Sequence, residues 1–83
     1  MELSVLLFAS LKEAAGSERI AVQVAPQASV AQFLESLAAQ HPELASWLPH
    51  VHVAVNCEYA AREDVLKPSD EIALLTPVSG GTP

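Results

Sequence analysis

One stretch limits what this chain can build. From Ser29 onward, Val30, Phe33, Leu34, Leu37 and Ala38 fall at i, i+3, i+4, i+7 and i+8, the apolar stripe of a single α-helix. Gln32, Glu35, Ser36 and Gln40 take the other side. Ser29 is the candidate N-cap, and Gln32 three residues later completes a capping box. Pro42 stops the helix near Gln40-His41. No other segment carries so long a helical stripe, so the remaining apolar residues must be covered by this helix or by strands.

The flanking sequence reads as short strands. Leu3–Phe8 is an apolar run of strand length, with Leu3, Val5 and Leu7 on one face and Ser4, Leu6 and Phe8 on the other. Ser10 to Ala15 reads as a short helix, with Ser10 and Glu13 in capping-box spacing and Gly16 as its stop. Glu18–Val24 alternates as a strand and Pro26 ends it. Pro42–Leu48 reads as one short turn with Leu44, Trp47 and Leu48 packing beneath, closed by Pro49. Val51, Val53 and Val55 alternate in a further strand. A turn at Asn56-Cys57-Glu58 leads to a short return strand, Tyr59-Ala60-Ala61. Arg62–Ser69 is polar, and Glu71–Thr76 is the last strand, with Ile72 and Leu74 on one face and Ala73 and Leu75 on the other. One amphipathic helix covers one sheet, not two. The economical solution is α+β: one mixed sheet packed on one main helix. If the first and last strands are parallel neighbours at the sheet centre, the helix lies across them in a β-grasp arrangement. Residues 1–77 are then the β-grasp domain, and 78–83 a flexible tail.

Composition narrows the function. Four Lys and Arg against ten Asp and Glu give a net charge of −6, which lacks the basic footprint nucleic acid requires. No apolar run approaches a membrane span, and the N-terminus lacks the pattern of a signal peptide. Cys57 is the single cysteine and can form no internal disulfide, as expected of a cytoplasmic protein.

The tail, Val78-Ser79-Gly80-Gly81-Thr82-Pro83, packs poorly but suits a substrate arm. Two residues without Cβ can enter a channel too narrow for side chains.

Three pieces of the chain resemble the small, sulfur-carrying subunit of molybdopterin synthase, in the MoaD/ThiS family. They are the opening Phe8-Ala9-Ser10-Leu11-Lys12-Glu13-Ala14-Ala15-Gly16, the hairpin Val55-Asn56-Cys57-Glu58, and the ending Asp70-Glu71-Ile72-Ala73-Leu74-Leu75-Thr76-Pro77-Val78-Ser79-Gly80-Gly81. The resemblance implies a ubiquitin-like fold and a non-catalytic carrier subunit of a sulfurtransferase complex. An E1-like partner would use ATP to adenylate the carboxylate of Gly81, and the adenylate would become a thiocarboxylate. The large subunit of molybdopterin synthase would take that sulfur for a cyclic pyranopterin precursor. No cofactor is expected to stay bound to this chain, and no catalytic residue is assigned to it. Ser69 stands where the family usually has Gly, and Thr76 replaces the first of two prolines. Thr82 and Pro83 extend beyond Gly81 and lock its carboxyl in a peptide bond. Either a protease removes them, or the chain is inactive as a carrier in this form, or the extension is not native. The reading adopted is cleavage. Carriage of sulfur to thiamine or another pathway is an alternative, as is a ubiquitin-like interaction module without sulfur chemistry.

Phe8 and Leu75 sit on the wetter faces of their strands. Side by side, and extended by Tyr59, they would form an apolar patch at the root of the tail, a partner interface together with Pro77 and Val78. His50 and His52, two apart on one strand, are a weak metal pair with no third ligand in view. Cys57 beside Glu58 lacks the cationic neighbours of a reactive thiol. Glu58, Glu63, Asp64, Asp70 and Glu71 read as a solvated surface or as the complement of a basic collar on a partner.

Overall fold

The main helix forms as its sequence dictates. The Ser29 hydroxyl accepts the Gln32 N–H at 3.2 Å while the Gln32 side chain accepts the Ser29 N–H at 2.9 Å, a reciprocal capping box. The helix, α2, runs Val30–Gln40 and buries Val30, Phe33, Leu34 and Leu37. These observations come from a computed structural model, which describes residues 1–76.

Before α2 come β1 (Glu2–Leu7), a short helix α1 (Ala9–Ala15) and β2 (Arg19–Gln23); after it, two 3-10 turns (Pro42–Leu44 and Leu48–His50), β3 (His52–Val55), β4 (Glu58–Tyr59) and β5 (Glu71–Leu75). The strands make one sheet in the order β2-β1-β5-β3-β4. β1 and β5 are parallel neighbours at its centre, with Leu7 beside Leu74, and the other pairings are antiparallel. This is the β-grasp arrangement the hydrophobic pattern demands. The alternating residues Leu3, Val5, Leu7, Val22, Ile72, Leu74 and Val53 point to one side and bury against Phe33 and Leu37 of α2. Gly16 ends α1 at φ 75, a left-handed stop that Gly adopts without a Cβ penalty.

The structure departs from expectation in several places. Helix α1 is not capped by Ser10: its N-cap is Phe8, in extended conformation with no side-chain cap bond, and Ala9 turns the chain at φ 51. Burial of Leu11 in the core supplies what the cap does not. The Pro42–Leu48 segment is not one turn but the first of two 3-10 turns, a hydrogen-bonded turn and the start of the second. Leu44 and Leu48 are buried as expected, while Trp47 stays 36% exposed. The return strand stops at Tyr59. The polar Arg62–Ser69 stretch sends Leu66 into the core at 2% exposure. Its backbone docks on the start of α2: Val30 N–H bonds to Asp64 O and Ala31 N–H to Arg62 O, satisfying donors a helix start leaves unpaired, and Leu66 N–H bonds to Ala28 O just before the helix.

Candidate functional site: an apolar corner at the end of β5

The parity that buries Leu7 and Leu74 turns their successors outward. Phe8 leaves β1 in extended conformation on the open face of the sheet, beside Leu75 of β5. Across the sheet, the register sets Leu6, Ala73, Ala54 and Tyr59 in one row on four neighbouring strands. Two of the four are alanines, so the row has a low floor. Phe8, Leu75, Tyr59 and Cys57 stand around it and enclose an open cavity of about 350 Å³ lined only by these residues and the two alanines. Phe8 is 45% and Tyr59 76% exposed. The Tyr59 ring tilts against His52, centroids 5.8 Å apart.

Cys57 reaches the rim because the β3–β4 hairpin turns on two left-handed residues, Asn56 at φ 53 and Cys57 at φ 71. Asn tolerates that conformation well; Cys does so only at a cost. The turn is pinned from below. Asn56 donates to an Asp70 oxygen at 2.9 Å and accepts the Glu71 N–H at 3.0 Å, tying the hairpin to the start of β5.

These contacts divide the acidic set. Asp70 also accepts the Lys67 N–H, and Asp64 the Ala61 N–H, so both carboxylates hold turns. Glu71 lies 4.0 Å from the Arg19 guanidinium, which also donates to Ser4 at 2.8 Å. Glu58 and Glu63 remain as exposed carboxylates beside the apolar corner's strand and loop. The two histidines do not share a strand: His50 closes the second 3-10 turn and His52 opens β3. Pro49 causes the difference, since its fixed φ suits the 3-10 turn that takes in His50.

Phe8, Tyr59 and Leu75 are therefore brought together, and β5 directs the chain toward its tail from beside them. Pro77, Val78, Gly80, Gly81, Thr82 and Pro83 lie outside the described residues. Sequence reading missed Ala54, Ala73 and Cys57 as lining. The signal was available in the alternation that puts Ala73 and Leu75 on one face. What it lacked was the strand order that sets Ala54 next to Ala73.

A model of the ThiS family matches residues 5–81, which takes in the corner, β5 and both tail glycines. The chain belongs to the ThiS family. It is 40% identical to small archaeal modifier protein 1 of Haloferax volcanii, over 90% of this chain and 95% of that one. It is 35% identical to the molybdopterin synthase sulfur carrier subunit of Chlamydomonas reinhardtii, over 98% of this chain and the whole of the relative. The crystal structure of the Haloferax protein superposes with a TM-score of 0.86 at 37% identity, covering 98% of this chain and 100% of that one. The fold is thus the ubiquitin-like β-grasp of this family.

Proposed function

We propose that this ThiS-family chain is the sulfur-carrier subunit of a molybdopterin synthase. The observation that carries the reading is the placement of the apolar corner at the end of β5, where the chain leaves the sheet six residues before Gly81. A carrier must hold its partner and deliver its terminal carbon at the same place. Phe8, Tyr59 and Leu75 supply the hold, with Pro77 and Val78 of the following sequence joining the contact with the large subunit. The thin Gly80-Gly81 arm supplies the delivery. Removal of Thr82-Pro83 by a protease frees the Gly81 carboxylate. A carboxylate is a poor electrophile, so an E1-like enzyme converts it with ATP to the acyl adenylate. Sulfide-level sulfur from the donor then attacks the acyl carbon and AMP leaves, giving the thiocarboxylate. The full-length similarity to a relative named as the sulfur carrier subunit of molybdopterin synthase supports this pathway over thiamine synthesis.

A second reading is favoured by the similarity to a protein named a modifier. In that reading the activated Gly81 carboxyl acylates an amine on another protein instead of taking up sulfur.

Intact-mass measurement tests both. The chain is incubated with its own E1-like enzyme, ATP and a sulfur donor, both as the full sequence and ending at Gly81. Replacement of one oxygen by sulfur on the Gly81-ended chain, followed by sulfur delivery to the pterin precursor with the large subunit, is the expected result. Capture of the chain in amide linkage to other proteins, with no sulfur gained, would select the second reading. An unmodified Gly81-ended chain beside an active E1-like enzyme would remove both.

A further inference from the structure

Strand β2 forms one edge of the sheet, and an open edge pairs readily with another chain. Its inward bonds are fixed by the bonds at either end, Val24 N–H to Met1 O and Leu7 N–H to Glu18 O. By the antiparallel alternation, Ile20 and Val22 bond to β1, while Arg19, Ala21 and Gln23 turn their backbone groups outward. These three residues present six outward groups. Five are occupied by side chains from elsewhere in the chain. The Gln40 side-chain amide accepts the Gln23 N–H at 2.9 Å and donates to Gln23 O at 2.7 Å, reproducing with one side chain the pair of bonds a neighbouring strand would make. His41 Nε2 lies 3.2 Å from Ala21 O. The Ser17 hydroxyl donates to Arg19 O at 2.8 Å and accepts the Arg19 N–H at 3.3 Å. Among the described residues only the Ala21 N–H is left without a partner.

We propose that Gln40 and His41, with Ser17, close the β2 edge against strand pairing with a second copy of this chain. A second copy is the partner the bare edge fits. Antiparallel pairing centred on Ala21 would set each Arg19 opposite Gln23 and each Ile20 opposite Val22. No like charges meet, and the contact is its own complement under a two-fold axis. The guard sits at the C-terminal end of α2, so the helix that covers the core also shields the sheet's edge. This accounts for polar residues at Gln40 and His41, which the apolar stripe of the helix does not require.

Two measurements test it. In the unaltered protein, amide hydrogen exchange should be slow at Gln23 and fast at Ala21. Equal rates would mean that no cap forms, and the proposal would fall. The Gln40→Ala/His41→Ala variant should sediment as a monomer–dimer mixture that shifts toward dimer with concentration, and the unaltered protein should sediment as a monomer at the same concentrations. Adding Ala21→Pro should return it to monomer, because proline removes the donor at the centre of that pairing and is tolerated where the N–H faces outward. A folded double variant that stays monomeric, or a dimer indifferent to Ala21→Pro, would overturn the proposal. The exchange comparison decides the matter even if the double variant does not fold.

Discussion

Replacing Tyr59 by Ala separates docking from folding more cleanly than any other change in the apolar corner. Tyr59 is 76% exposed, so the folded monomer relies on little of it. An aromatic side chain of about 200 Å² leaves about 150 Å² facing solvent at that exposure. Covering half of that area in a complex at about 25 cal/mol per Å² stabilises the complex by about 2 kcal/mol. Loss of that contribution corresponds to roughly 30-fold weaker binding. The area already hidden in the monomer is about 50 Å², so truncation costs the fold on the order of 1 kcal/mol. Titration calorimetry with the large subunit should give the weakened affinity, and urea unfolding the small stability loss. Unchanged affinity in a folded variant would refute the reasoning, because the most exposed aromatic of the corner would then lie outside the contact.

Two further changes probe the scaffold. Phe33→Ala empties the centre of the core at a residue with no exposed surface and should lower unfolding free energy by about 3–5 kcal/mol in a urea titration. A loss under 1 kcal/mol would mean that the core collapses around the gap. Cys57→Gly converts the hairpin to Asn-Gly at two positive-φ positions and should raise stability by about 1 kcal/mol, read from the same titration. A destabilised variant would show that the thiol's packing outweighs the backbone strain.

Local rules made much of this molecule legible. The capping box at Ser29, the helical stripe from Val30 to Ala38 and the stop at Gly16 depend on residues a few positions apart, and each formed as read. The apolar corner was legible in part, because strand parity sends Phe8 and Leu75 to one face once β1 and β5 are neighbours. Expectation failed where distant contacts decide. Ser10 offers a cap, but the chain enters α1 from the end of β1, and the left-handed turn at Ala9 places Phe8 at the cap position instead. Arg62–Ser69 reads as a polar stretch, and nothing local separates buried Leu66 from exposed Val65 until that loop docks on the start of α2. His50 alternates with its neighbours like a strand residue, yet Pro49 draws it into a turn. Gln40 read as an ordinary residue of the helix's polar side, and His41 only as the point where the helix stops, because their partners, Gln23 and Ala21, lie in a different element.

The central pairing of β1 with β5 also sets the order of events in synthesis. Ser4 must find Glu71, and almost the whole domain is translated between them. While the ribosome still holds β5, β1 and β3 each lack their central neighbour, and the sheet is split into two hairpins with nothing between them. Closure over so long a span makes folding slow for a chain of this size. The strand that completes the sheet is also the one that leads into Gly80-Gly81. The apolar corner therefore comes into being only once β5 is in place, and an unfinished chain offers no assembled surface for recognition.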